Sequence, residues 1–262
     1  MNNPFKIIEP TCISFSGGRT SAYMLYKVLE AHNMSLPEET IVCFANTGKE
    51  DEATLKFVHD CETNWGINIH WLEYEPKGFR RVDFESAARN GEPFEALILA
   101  KKYLPNPVAR FCTEELKVKT INRYLASLEI EAATMVGVRA DEPRRVGKLR
   151  QRGLLIPLVD ASITQADVQT FWKQQPFDLG LPFRDGVTPL GNCDLCFLKG
   201  PNQIMGLIKD NPERAVWWAK QEQAIGATFR SDRPTYGQMH KFLSEQADMF
   251  STEGGVECFC GD

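Results

Sequence analysis

No stretch of this 262-residue chain is apolar for long enough to cross a bilayer. The opening residues, M-N-N-P-F-K, lack the basic-then-apolar order of an export signal, so a cytoplasmic setting without membrane attachment is the default expectation. Positive charge is not in excess either, since 35 acids outnumber 30 lysines and arginines. The net charge of −5 excludes a global attraction to nucleic acid, and any such contact must come from a local patch. Histidine is scarce. His32, His59, His70 and His240 are scattered, sit in no motif, and read as structural or surface residues. What the chain does have is cysteine, eight in all, and without an export signal these point to metal or redox work rather than structural disulfides. Its length and 43% hydrophobic content suit one globular domain, or a domain with an appendage.

The chain is organised around Thr11 to Ser21, T-C-I-S-F-S-G-G-R-T-S. Cys12, Ile13 and Phe15 have the length and alternation of a buried strand. The run breaks at Gly17-Gly18, and helical spacing begins with Tyr23, Leu25, Tyr26 and Leu29. A strand, a glycine turn and a helix start form a cradle for phosphate, because bare amides and the helix dipole both favour negative charge. Ser16, Thr20 and Ser21 add hydroxyls, and Arg19 adds a cation. A glycine turn also closes ordinary βα corners, so the order of residues has to decide. It fits neither G-x-x-x-x-G-K-S/T nor G-x-G-x-x-G. S-G-G-R-T-S resembles the S-G-G-x-D/T-S loop of the PP-loop superfamily, which holds the ATP pyrophosphatases and the phosphoadenosine-phosphosulfate reductases. Arg19 stands where many members have Lys, and Thr20 where many have Asp.

Ile41 to Ala45 read as a second buried strand, ending in Asn46-Thr47-Gly48. A helix through Leu55, Val58 and Cys61 stops at Gly66, and Ile67 to Tyr74 alternate as a third strand. This rhythm implies a parallel sheet with ligands at the carboxyl ends of its strands. N-T-G-K-E-D-E-A-T resembles the second motif of the superfamily through Asn46, Gly48, Glu50 and Thr54. Residues 76–110 read as a surface loop with one short helix around Phe94 to Tyr103. Thr113 is placed to cap the next helix, with Cys112 just before its start, where a thiolate is stabilised. R-F-C-T-E-E-L-K resembles reductase-like members of the superfamily.

After a strand at Ala132 to Val138, G-V-R-A-D-E-P-R-R resembles a further segment, G-x-R-x-x-E-S-x-R. The likeness implies that Arg139 reaches the nucleotide phosphates. Arg144, Arg145, Lys148, Arg150 and Arg152 make the only dense basic cluster, either a solvated loop or a site for an anionic acceptor such as tRNA, DNA or a small metabolite. Leu154 to Val159, interrupted by Pro157, read as an edge strand. Thr164-x-x-Asp167 opens a helix through Val168, Phe171 and Trp172, in a run that resembles sulfonucleotide reductases. Trp172, Trp217 and Trp218 read as core residues, and Cys12, Cys43 and Cys61 as small buried hydrophobes.

Cys193-x-x-Cys196 lies between glycines, and the tail carries Cys258 and Cys260. With Cys112 and one of the two tail cysteines, the C-x-x-C pair completes four thiolates, enough for zinc or a 4Fe–4S cluster, while free or redox-active thiols are the remaining alternative. The resemblance favours the cluster, with Cys112, Cys193, Cys196 and one of Cys258 or Cys260 as ligands. Glu257-Cys258 also resembles the tail of sulfonucleotide reductases, whose cysteine attacks the sulfonate sulfur.

The expected fold is α/β, an adenine-nucleotide α-hydrolase-like parallel sheet flanked by helices with a cysteine-rich, mainly helical C-terminal part. The expected division is a nucleotide-binding domain over 1–160 and a helical region over 161–262. The resemblance implies ATP or another adenine nucleotide on Ser16, Gly17, Gly18, Arg19, Thr20, Ser21, Asn46, Gly48, Glu50 and Arg139, with Mg²⁺ alongside. Catalytic roles fall to Arg139, Cys258 and Cys260. Two reactions follow from it: ATP-dependent adenylation with sulfur transfer, or reduction of a (phospho)adenylyl sulfate by a thioredoxin-like partner. A non-catalytic nucleotide- or metal-binding module is the third reading, and a homodimer is among the expected assemblies.

Overall fold

The computed structural model describes residues 3–182 and 188–251. The chain divides into two units, residues 1–100 with 111–193, and residues 101–110 with 194–262. The first is built on a five-stranded sheet in the order β4-β3-β2-β1-β5. β1 (Thr11–Phe15), β2 (Thr40–Asn46), β3 (Ile69–Glu75) and β5 (Ala133–Val136) run parallel, and β4 (Gly78–Val82) runs against β3. β1 lies between β2 and β5, with Cys12 opposite both Ile41 and Thr134. The connections leave β1 towards β2 on one side and return to β5 on the other, so the strand order reverses beside β1. In open α/β sheets that reversal opens a crevice at the carboxyl ends of the strands.

Strand alternation sends side chains to two cores. On one face Ile13, Phe15, Val42 and Phe44 pack with α1 (Arg19–Ala31) and α2 (Glu52–Trp65). On the other, Cys12, Ile41, Cys43 and Leu72 meet Ile121, Tyr124 and Leu125. Cys12, Cys43 and Cys61 are fully buried, and a hydrogen bond from Cys12 together with burial pushes the Cys43 thiol far up. These three are packing residues, as their apolar settings suggested.

Three local expectations are corrected. Residues 76–110 contain the edge strand β4 besides α3 (Glu92–Lys101); G-F-R-R-V is too short and too charged to look like a strand, yet an edge tolerates both. Leu154 to Val159 are no strand: Pro157 occupies the first turn of α7 (Pro157–Asp160), where its missing N–H costs nothing, and only Leu155 bridges to Met135. Thr113 caps nothing. α4 (Phe111–Thr113) starts two residues earlier, passes into a π-helical segment (Glu114–Lys119), and continues as α5 (Thr120–Ser127). Cys112 therefore lies within the first turn of that helix.

The boundary expected after residue 160 falls after 193. α6 (Pro143–Gln151) and α8 (Gln165–Trp172) belong to the sheet unit, α8 through an aromatic cluster of Phe171 and Trp172 with Tyr23, Tyr26 and Phe57. The Thr164–Asp167 capping box at its start is present. The second unit packs α9 (Pro201–Asp210), α10 (Glu213–Ile225) and α11 (Tyr236–Ser251) around Trp218, Phe229 and Tyr236. Asp194 accepts from Trp218 Nε1 at 2.9 Å there. No helix among the described residues is long and apolar enough to cross a membrane.

Candidate functional site

A cleft of about 460 Å³ opens where the sheet order reverses. One wall is the loop after β1, Ser16 to Ser21, and the facing wall follows β5 with Gly137, Arg139 and Glu142. The two walls touch. A side chain at Gly137 would place its Cβ 2.8 Å from Ser21 Cα, so only glycine lets β5 end this close to α1. Gly17, at φ +75°, makes the turn itself. The loop is braced from within: Ser16 N donates to Ser21 Oγ at 3.2 Å, the two hydroxyls lie 2.9 Å apart, and Ser21 Oγ donates to Gly18 O at 2.9 Å. Trp172 Nε1 supports it from behind, donating to Arg19 O at 2.9 Å. No side chain caps the start of α1, and no acid lies in its first turn. The positive end of the helix therefore faces the cleft with its amides uncapped and no acid of its own first turn beside them, an arrangement that favours an anion.

The two arginines expected at the phosphates have different partners. Arg139 lines the cleft and donates to Thr20 Oγ1 at 3.2 Å and to Asp141 Oδ1 at 2.9 Å. Arg19 also lines it, but its guanidinium forms a two-pronged pair with Asp178 at 2.6 and 2.5 Å. The cation placed in the loop is thus engaged with a carboxylate 159 residues away in sequence.

Asn46 and Gly48, expected at the nucleotide, do not line this cleft but shape the turn after β2. Asn46 is fully buried; its Nδ2 donates to Glu73 at 2.7 Å and to Ala88 O at 2.9 Å, and its Oδ1 accepts from Gly48 N at 3.0 Å. Glu73, almost wholly buried, also accepts from Ala88 N at 2.6 Å and Arg80 Nη2 at 2.5 Å. Glu73→Gln would turn a donor towards donors and remove the charge that Arg80 meets. We expect a loss of about 2–4 kcal/mol, read as a lower urea midpoint; an unchanged midpoint would remove Glu73 as the anchor of this turn.

Glu50 lines the cleft, and its carboxylate accepts from Thr47 N at 2.9 Å, Thr47 Oγ1 at 2.6 Å and Lys117 Nζ at 3.3 Å. Lys117 comes from the π-helical segment, five residues after Cys112, and it too lines the cleft. Burial alone would lower its ammonium, but Glu50, Cys193 and Cys112 together hold it above the ordinary lysine range. Two thiols from distant parts of the chain thus act on one cation. Cys193 is fixed by an antiparallel bridge to Glu50, with its Sγ 3.5 Å from Thr47 Oγ1. Lys117 was not singled out as a site residue in the sequence; the R-x-C-T-x-x-L-K spacing was the available signal.

Cys196 belongs to the second unit, where it acts on Tyr236. Cys258 and Cys260 lie outside the described residues. Among the described residues no group of three or more His, Cys, Asp or Glu side chains is assembled to hold a metal ion. Cys112 and Cys193, which both act on Lys117, are soft thiols of the kind iron–sulfur and zinc centres use, so their chemistry fits such a group.

The sequence profile of the phosphoadenosine phosphosulfate reductase domain matches residues 10–152. A nin-region protein of Escherichia phage lambda, ORF290, is 31% identical over 211 residues, 76% of this chain and 69% of its own length. A protein of Methanocaldococcus jannaschii is 31% identical over 139 residues, 52% of this chain but only 24% of that much longer relative. Among solved structures, the U34-tRNA thiolase NcsA from Methanococcus maripaludis with its 4Fe–4S cluster aligns over 98% of this chain and 78% of its own, at a TM-score of 0.43 and 16% identity. The profile spans the loop after β1, the turn after β2, the Cys112 helix and Arg139, more than half the chain in one register, and by that match the chain belongs to the phosphoadenosine phosphosulfate reductase domain family of PP-loop proteins.

Proposed function

We propose that the protein is an ATP-dependent enzyme of sulfur transfer. The observation that carries this reading is the meeting, within one unit, of an uncapped helix start and a lysine lining the same cleft, Lys117, on which Cys112 and Cys193 both act. The main-chain amides at the start of α1 hold the leaving pyrophosphate, and Arg139 steadies the charge that grows at the α-phosphate. Mg²⁺ would accompany the nucleotide and screen its oxygens. An acceptor oxygen attacks the α-phosphorus, pyrophosphate departs, and a sulfur nucleophile then displaces AMP from the acceptor carbon.

Cys112, Cys193, Cys196 and one of Cys258 or Cys260 would hold a 4Fe–4S cluster, which supplies a soft site for carrying that sulfur. Lys117 keeps its positive charge beside Cys112 and Cys193, favouring their thiolate forms.

The family description itself favours a second reading, reduction of an adenylyl sulfate to sulfite, with Cys258 as nucleophile and a thioredoxin-like reductant. Anaerobically purified protein should be offered ATP and, separately, both adenylyl sulfates. Pyrophosphate released from ATP is the expected result. Sulfite from an adenylyl sulfate with no pyrophosphate would replace the first reading by the second, and neither product would leave a nucleotide-binding module. A visible iron–sulfur absorption is expected with it; a colourless protein with stoichiometric zinc would overturn the cluster.

A further inference from the structure

We propose that the acceptor is a nucleic acid strand whose phosphates lie along α6; the inference rests on the sulfur-transfer reading and goes further by naming the acceptor class. α6 has no buried residue. Arg144, Arg145, Lys148 and Arg152 are all exposed. At helical spacing they fall within an arc of about 100°, so the four form one stripe. From Arg144 to Arg152 the stripe rises about 12 Å in steps of about 6 Å, the scale on which a polynucleotide presents successive charges.

Its field opposes that of the whole protein. Residues 139–152 carry six cations against Asp141 and Glu142, a local net charge of +4 in a chain of −5. Among the described residues neither Arg144 nor Lys148 makes an ion pair. Arg145 pairs with Glu142 at 2.6 Å, and Arg152 lies 3.9 Å from Glu114. The Arg152 pair is exposed on both sides, and in the other Arg145 is exposed while Glu142 is half-buried; pairs of this kind are worth about 1 kcal/mol or less, which a phosphate can replace at little cost.

Position supplies the rest. Arg145 and Glu142 line the cleft, so one side of the stripe opens on the proposed site of adenylation while Arg144, Lys148 and Arg152 lie outside the lining. A small metabolite reacting in the cleft would have no use for cations spread over this length. An anionic membrane is disfavoured because the apolar residues of α6, Val146 and Leu149, are both half-buried. A strand that lays its phosphates on α6 and turns one base into the cleft uses the whole arrangement.

The test is fluorescence anisotropy of the full chain with labelled single-stranded RNA and, in a second arm, DNA, each of about 20 nucleotides, between about 50 and 200 mM salt. Three or four phosphate contacts predict binding about 15- to 60-fold weaker at the higher salt. R144Q/K148Q should bind at least about 10-fold more weakly, with a salt slope shallower by about 1 to 1.5. The tighter arm identifies the kind of acceptor. The same variant should bind a non-hydrolysable ATP analogue as the parent does, which separates the two failures: an analogue that binds neither protein would sink the nucleotide reading and the acceptor role with it, whereas strand binding along α6 is judged by the anisotropy alone. No oligonucleotide binding, equal affinity and slope in R144Q/K148Q, or binding only to vesicles containing phosphatidylglycerol, would each overturn the proposal.

Discussion

Gly17→Val is expected to abolish nucleotide binding and to cost about 4 kcal/mol or more in stability. Two independent effects add at this position. The backbone holds φ +75°, which a β-branched residue adopts only under strain. Space is also missing: a Cβ would lie 2.8 Å from Thr54 Cγ2 and 3.1 Å from both Phe44 and Val58. Phe44 and Val58 are core residues with no measurable exposure, so they cannot yield without moving β2 or α2. The turn would have to open, and with it the hydroxyl pairing of Ser16 and Ser21 that shapes the cradle. Urea unfolding with analogue binding checks both halves, and Gly18→Ala is the control. Gly18 has extended backbone, and its nearest neighbour beyond the loop backbone is Ser16 Oγ at 3.8 Å, so alanine fits. Near-parental stability of Gly17→Val would mean that the turn is not held as described.

Lys117→Met is expected to lower turnover by about 100-fold or more and stability by about 2–3 kcal/mol. Glu50, whose side chain is only 2% exposed, would keep its bonds to Thr47 but lose its cation. Cys112 and Cys193 would lose the charge that favours their thiolates, and alkylation of both at neutral pH should slow. The substitution also makes a prediction about pH. The lysine is raised above its ordinary value of 10.5 in the folded protein, so its contribution is whole below that pH and fades as pH climbs through the higher folded value. The parent should lose stability above about pH 10.5 more steeply than Lys117→Met. Identical alkaline profiles, with unchanged thiol reactivity, would detach Lys117 from the site.

The elements that were legible in the sequence are those whose signal is local. β1, its glycine turn and α1 declare themselves because apolar alternation, a break and helical spacing follow within twenty-one residues, and Thr164 with Asp167 announces α8 in the same way. What escaped depends on distant partners. Nothing near Arg19 says that Asp178 will take its guanidinium, and nothing near Glu50 foretells Lys117 or the bridge to Cys193. The Asn46 motif was visible, but its use was not, because Glu73 and Ala88 come from segments that only the closed sheet brings alongside. Pro157 misled for a different reason: proline disfavours a strand interior and a helix interior alike, and only context tells a helix start from an edge.

The two margins of the sheet have a bearing on how this protein behaves in concentrated solution. At one, the reversed strand β4 shows Arg80 and Arg81 to solvent; at the other, β5 is four residues long and already touches Leu155. A neighbouring molecule seeking to zip its backbone onto either rim meets guanidinium groups or runs out of ladder. Lateral fibre growth is thereby discouraged at both ends, and purified material should stay as discrete particles even though five strands lie side by side.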